Sequence, residues 1–343
     1  MDMKALIALV AEGKDLTEAQ AETAMSLIMN GEATPAQVAA FLMAMRIKGE
    51  TVAEITGCAR VMRDKAARVH HNRPVAVDTC GTGGDRSNTF NISTTAAFVV
   101  AGCGVAVAKH GNRAASSLTG SADVLEALGV RLDLTPSQVG QCIDEVGIGF
   151  LYAPAVHTSM KNVAAVRRDL GTQTIFNLLG PLTNPCNALA QVMGVFKANL
   201  TEPLARVLGN LGCRHALVVH GEDGLDEISI SAPTVVSEVV DGFVHTYRIV
   251  PEDFGIQRAP REYVRGGVPA ENAKITESIL NGETGPRRDV VLLNAAAALL
   301  AADRVKTMKE GIALAAESID SGEARRALEG LRHLTQKLAA VAS

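Results

Sequence analysis

From Val75 onward, short apolar runs alternate with helical stretches, and several of the runs end abruptly in turns rich in glycine or charge. PVAVDTC reads as a buried strand, NISTTAAFVVAGCG as the helix after it and VAVAK as the next strand. Helices follow around Ala122 to Leu128 and from Thr135 to near Gly147, and IGFLYAP closes the series as a third strand. Such alternation predicts a mainly parallel sheet with helices on both faces. Sheets of this kind bind ligands beyond the carboxyl ends of their strands, which directs attention to the turns after Cys80 and Lys109.

The rest of the chain frames this centre. Before residue 72 the pattern is helical, with capping-box starts at Thr17-x-x-Gln20, Thr34-x-x-Gln37 and Thr51-x-x-Glu54. Val38, Phe41, Leu42 and Met45 share one helical face, which serves either a core or a subunit contact. Val163 to Pro185 reads as a helix running into the turn Gly180-Pro181-Leu182-Thr183-Asn184-Pro185. AQVMGVF and HALVVHG read as strands flanking the helix TEPLARVLGNLG, and Asp241-Gly242 marks a two-residue hairpin turn. The last seventy or so residues return to amphipathic helices. The expected fold is therefore α/β, a small all-helical part beside a larger part with a mainly parallel central sheet.

Composition narrows the function classes. A net charge of −4 supplies no global field for nucleic acid, and 3% aromatic residues without Trp leave little for base stacking. Six scattered cysteines form no C-x-x-C pair, so reduced, mostly buried thiols are expected rather than zinc. The N-terminus does not read as a signal peptide, and Val290 to Ala302 is too short to span a bilayer. A cytoplasmic protein with no nucleic-acid or membrane partner is expected.

Four clusters can carry chemistry. Asp78-Thr79-Cys80-Gly81-Thr82-Gly83-Gly84-Asp85 runs from a strand into a glycine-rich turn, and Asn91-Ile92-Ser93-Thr94 opens a helix whose free N–H groups suit phosphate. A plain strand-to-helix turn would also use such glycines. Lys109-His110-Gly111-Asn112-Arg113-Ala114-Ala115-Ser116-Ser117, with Ser121 just beyond, brings cations, an amide and hydroxyls to a second strand end. Glu222, Asp223, Asp226 and Glu227 crowd one turn, which either faces water or holds a divalent cation with substrate phosphates. Arg167 and Arg168 end a helix, either as surface charge or as a carboxylate clamp. His157 reads as a histidine at a helix start without a catalytic task.

Together, GTGGD at 81–85, NIST at 91–94, KHGNRAASS at 109–117, RRDLGTQTIFNLLGPLTNP at 167–185 and GEDGLDE at 221–227 resemble the anthranilate phosphoribosyltransferase family. These enzymes are nucleoside-phosphorylase-like transferases. The resemblance implies a small helical domain, 1–72 completed by 163–186, and a large α/β domain, 73–162 with 187–343. It implies transfer of the phosphoribosyl group of 5-phosphoribosyl 1-pyrophosphate (PRPP) to the amino nitrogen of anthranilate, with two Mg²⁺ ions and no covalent nucleophile. PRPP would be bound by Gly81, Gly84, Asp85, Thr89, Asn91, Ile92, Ser93, Thr94, the loop Lys109 to Ser117 and Ser121. Ser93, Asp226 and Glu227 would hold the metal, and Gly81, Asn112 and Arg167 would hold anthranilate, with His110 shaping that pocket. A homodimer through the small domain is expected, with the face near Phe41 and Met45 as its contact. One position departs from the family pattern: Gln173 stands where many relatives carry Arg.

Overall fold

The computed structural model describes residues 1–114 and 118–341. Four helices come first: α1 Met3–Ala11, α2 Glu18–Met29, α3 Pro35–Lys48 and α4 Val52–Lys65. The predicted capping boxes at Thr17, Thr34 and Thr51 are all formed. The Thr51 amide donates to Glu54 at 2.8 Å, while the Thr51 hydroxyl accepts from the Glu54 amide at 3.3 Å. Each cap is worth about 1 kcal/mol. Phe41 and Met45 are fully buried, so the core alternative holds for that stripe and the expected subunit contact does not. Their helix instead exposes Ile47.

The sheet is built from β1 Ala76–Asp78, β2 Ala106–Gly111, β3 Ile148–Tyr152, β4 Ala190–Gly194, β5 His215–Gly221, β6 Thr234–Val240 and β7 Phe243–Ile249, in the order β3-β2-β1-β4-β5-β6-β7. The first five strands in that order are parallel, and β6 and β7 close one edge antiparallel. Asp241 and Gly242 both take positive φ, 46° and 86°, and Val240 pairs with Phe243 across them. That is the predicted tight hairpin, because consecutive left-handed residues match the strand twist.

The crossover helices are α5 Ile92–Gly102, α6 Ser121–Ala127, α7 Pro136–Val146, α8 Ala153–Val156, α9 Lys161–Leu170, α10 Phe176–Leu182 and α11 Thr201–Asn210. At the C-terminus follow α12 Pro269–Leu280, α13 Pro286–Ala301, α14 Met308–Asp320 and α15 Glu323–Val341. Alternate residues of β4 and β5 serve different cores. Val192, Leu217 and Val219 join a core with α5 and α13, whereas Met193, Ala216 and Val218 join α11 and the N-terminal helices. Val163 and Val166 of α9 and Leu178 and Leu179 of α10 lie in that second core.

The stretch from Val163 to Pro185 differs from expectation. Gly171, at φ 57°, stops α9, and the chain restarts as α10 with Pro181 inside it. The expected turn at Gly180 to Leu182 is thus helical, and the reversal falls after Leu182. Burial of Phe176, Leu178, Leu179 and Leu182 decides this, since it outweighs the one backbone hydrogen bond that Pro181 cannot donate.

Candidate active site

Three turns, after β1, β2 and β5, meet at one rim of the sheet, and glycines let them approach. A Cβ on Gly81 would lie 2.8 Å from the Gly194 carbonyl oxygen, and one on Gly194 would overlap the Asp226 carbonyl. The Thr82 amide donates to Gly194 O at 2.8 Å. The ends of β1 and β4 and the turn after β5 therefore pack backbone to backbone, and only glycine fits between them.

Asp78 anchors this rim from below. It is fully buried; its Oδ1 accepts from the amides of Cys80 at 3.0 Å and His110 at 3.1 Å, and its Oδ2 from Asn184 Nδ2 at 2.8 Å. Asn184 also donates to Ala108 O at 2.8 Å. Burial pushes the Asp78 carboxyl up to about 6, although Lys109 and the donors around it pull the other way. Asp78 heads the first sequence cluster and Asn184 lies in the turn 180–185, but the sequence assigns neither of them this anchoring role. A carboxylate inside an apolar strand run was the available signal.

Lys109, 3% exposed, sends its Nζ to Thr79 O at 3.2 Å, Thr79 Oγ1 at 3.1 Å and Ser93 Oγ at 3.5 Å. The Ser93 amide, at the start of α5, donates to Glu227 Oε1 at 3.1 Å. Asp226 N lies 3.5 Å from Asp85 Oδ2. These contacts bring together Asp85, Ser93, Lys109, Asp226 and Glu227 from four separate segments. Asp226 and Glu227 are half-buried, and desolvation by the protein around their carboxylates raises both pKa values. Asp85 and Glu227 raise Asp226 further, while Lys109 partly offsets the effect at Glu227.

Such crowded carboxylates need protons or a cation. Among the described residues no three His, Cys, Asp or Glu side chains form a ready-made metal cage. Two carboxylates with a serine hydroxyl fit a hard divalent ion that draws its remaining ligands from water and substrate phosphate.

The loop from Gly83 to Thr89 is contorted, with positive φ at Gly83, Gly84, Arg86 and Asn88. It is held by the Thr89–Arg265 bridge and by Gly266 N donating to Asn88 O at 2.9 Å. Asn91 is fixed by Asn272, whose Nδ2 donates to Asn91 Oδ1 at 3.0 Å, while Asn91 Nδ2 donates to Thr119 O at 3.3 Å. Asn272 and Thr119 went unnoticed in the sequence because their role depends on contacts far along the chain. Ile92 and Thr94 are each 1% exposed, so these two side chains are not presented at the site, and the Ile92 amide already donates to Phe90 O at 2.8 Å.

In the second loop, Gly111 lies against Ser121 and Phe150, leaving no room for a side chain. Asn112 is exposed; its carbonyl accepts from Ser121 Oγ at 3.3 Å and from Ala122 N at 3.2 Å. Arg113 is paired with Asp123 at 3.0 Å and Glu126 at 2.5 Å on the surface, and the Ala114 amide donates to Asp123 at 2.9 Å. Ala115, Ser116 and Ser117 lie outside the described residues.

Toward α9 and α10 the polar groups change character. Arg167 is half-buried, stands 5.2 Å from the Phe176 ring centre and has no acidic partner among the described residues. Arg168 is exposed. His110 pairs its Nδ1 with Gly180 O at 3.1 Å, so that nitrogen carries the proton and Nε2 remains a buried acceptor without a partner. His157 is also buried, meets the His110 ring edge-on at 5.1 Å and likewise leaves Nε2 unpaired. Burial holds His110 down to about 3 and His157 to about 4, so both are neutral near pH 7.

Known proteins place this arrangement. Residues 4–66 match a family model described as a glycosyl transferase family helical bundle domain, and residues 73–325 match the glycosyl transferase family a/b domain. Anthranilate phosphoribosyltransferase of Symbiobacterium thermophilum is 79% identical over 338 residues, covering 98% of this chain and 99% of that protein. The crystal structure of the Thermus thermophilus anthranilate phosphoribosyltransferase superposes with a TM-score of 0.91 at 45% identity, covering 96% of this chain and 99% of that one. The Saccharomyces cerevisiae enzyme, in complex with PRPP and Mg, gives a TM-score of 0.90 at 29% identity, with 98% of each chain covered. From end to end, then, the chain belongs to the anthranilate phosphoribosyltransferase family.

Proposed function

We propose that this protein transfers the 5-phosphoribosyl group of PRPP to the amino nitrogen of anthranilate and releases pyrophosphate, a step of tryptophan biosynthesis. The observation that carries this reading is the convergence of Lys109, Ser93, Asp85, Asp226 and Glu227 at one sheet rim. That set combines a cation, a hydroxyl at a helix N-terminus and three carboxylates, which is the complement of a metal-bound diphosphate. The yeast relative's complex with PRPP and Mg supports the same assignment.

The phosphoribosyl group is held by Gly81, Gly84, Asp85, Thr89, Asn91 and the start of α5 on one side, and by the loop from Lys109 and by Ser121 on the other. Ser93, Asp226 and Glu227 hold Mg²⁺, two ions in our reading, which supplies charge for the departing pyrophosphate. Lys109 adds a fixed positive charge as negative charge develops on the leaving group. Arg167 receives the anthranilate carboxylate, with Asn112 and Gly81 nearby. His110, neutral and unpaired at Nε2, shapes that pocket without taking a proton. The arylamine is already neutral near pH 7 and is itself the nucleophile: its C1–N bond replaces the C1–O bond to pyrophosphate, and the surplus N–H proton passes to the departing pyrophosphate or to water, so neither a side-chain nucleophile nor a strong base is required. Both substrates are held within attack distance by the rim turns and by α9.

We place the domain division at 1–72 with 163–186 against 73–162 with 187–343. The packing of α9 and α10 with the N-terminal helices supports it. We further propose a homodimer through the small helical domain, with Ile47, 81% exposed, as one apolar contact. No helix of the described residues is long and apolar enough to cross a membrane. The free cysteines support a reducing, cytoplasmic setting. The test of function is loss of anthranilate fluorescence by purified protein. It should require PRPP and Mg²⁺ together, and a folded preparation that shows no loss would refute the reading.

A further inference from the structure

The turn between α9 and α10 reaches across to the glycine loop after β1. Arg46 of α3 donates to the Gln173 carbonyl, and the Thr174 amide donates to Asn177 Oδ1 at 3.0 Å, so the backbone on both sides of the Gln173 side chain is anchored. That side chain extends toward Gly84. Its Nε2 stands 3.2 Å from the position a Cβ of Gly84 would occupy, and Phe196 lies 4.0 Å from the same point. The amide makes no hydrogen bond to any described residue. It is half-buried, over a loop whose Gly83 and Gly84 both have positive φ.

An unpaired amide held against a glycine has two possible uses, packing and donation. Packing alone is served by any side chain of that size. Donation suits this place better, because Gly84 precedes Asp85, which faces the carboxylates proposed to hold the cation. Many relatives carry Arg at this position, which is also a donor, and Gln173 keeps two N–H donors there without the charge, so it can donate to a phosphate oxygen.

We infer that Gln173 is a further binding residue for the pyrophosphate portion of PRPP, with its Nε2 donating to a phosphate oxygen above Gly84. This rests on the transfer reading above, and it deepens that reading by adding a ligand from the α9–α10 turn. Because Arg46 anchors the same residue, the donor is contributed from the helical side of the cleft.

The test uses the full chain and three proteins: unaltered, Gln173→Ala and Gln173→Glu. Calorimetry measures the Kd for pyrophosphate with Mg²⁺, and steady-state kinetics measures both KM values. A donor role predicts that Gln173→Ala weakens pyrophosphate binding and raises the PRPP KM roughly tenfold, the loss of one hydrogen bond to a charged group. Gln173→Glu, equal in size but unable to donate when ionised, should be worse than Ala. The anthranilate KM and the Tm should stay nearly unchanged in both. If Glu binds pyrophosphate as well as Gln does, or if Ala leaves the Kd unchanged, the inference is wrong. A fall in Tm with both KM values rising together would overturn it in favour of packing. Pyrophosphate binding reads Gln173 even without turnover, so an inactive unaltered chain would strike the transfer reading alone.

Discussion

Gly194 at the end of β4 lies flush against the Asp226 carbonyl, so close that a single methyl group would overlap it. The proposed metal pair is therefore placed by backbone contact between β4 and the turn after β5. Gly194→Ala should lower stability by about 1–3 kcal/mol, the cost of overpacking, and lower activity by more than the loss of folded protein explains. Thermal melts and kcat measured together check this; an alanine variant with unchanged Tm and rate would show that the contact does not matter.

Asp78 joins β1, β2 and the segment after α10 through three accepted hydrogen bonds. Asp78→Ala strands the amides of Cys80 and His110 and the Asn184 side chain in a buried site. The expected loss is about 3 kcal/mol, read as a lower urea midpoint. A midpoint within error of the unaltered protein would contradict the anchoring role.

At the opposite rim, His215 at the start of β5 sits between Glu238 Oε1 at 2.7 Å and Asp303 Oδ1 at 3.2 Å, with Arg214 also paired to Asp303. Burial opposes charge on the ring, but the two carboxylates outweigh it, and the His215 pKa is raised. Its stabilising contribution is thus fully present below the ordinary value of about 6.5 and is lost as pH rises through the raised one. His215→Gln should be less stable than the unaltered protein near pH 6, by on the order of 1 kcal/mol, and the two should converge at alkaline pH. Equal stability across that range would remove the His215 contribution.

Held down to about 3, by burial first and by the neighbouring His157 second, the His110 ring should not titrate in the working range. Its carbon-bound proton shifts in NMR should stay flat from about pH 5 upward, where an ordinary histidine would move through its transition. An inflection near neutrality, matched in the pH–rate profile, would make His110 an acid or base after all.

Much of this was legible in local sequence, because local chemistry determines it. Thr17, Thr34 and Thr51 cap their own helices, Asp241-Gly242 turns its own hairpin, and the glycine, basic and acidic turns announce themselves by composition. What could not be read depends on partners distant along the chain. Asp78 meets Asn184 across the fold, Asn272 orients Asn91, and Gln173 finds Gly84 only when the α9–α10 turn folds back. The Phe41 and Met45 stripe was ambiguous for the same reason, since periodicity shows that a face is apolar but not what covers it.

The central claim is that the rim turns jointly grip a diphosphate together with its metal. Calorimetric titration of PRPP, with and without Mg²⁺, into the unaltered protein and into a variant with both Asp226→Ala and Glu227→Ala tests it most directly. The account predicts tight binding only for the unaltered protein with Mg²⁺, at least roughly a hundredfold weaker in the variant, with both proteins folded alike. Equal affinity in the two proteins, or binding indifferent to Mg²⁺, would contradict it.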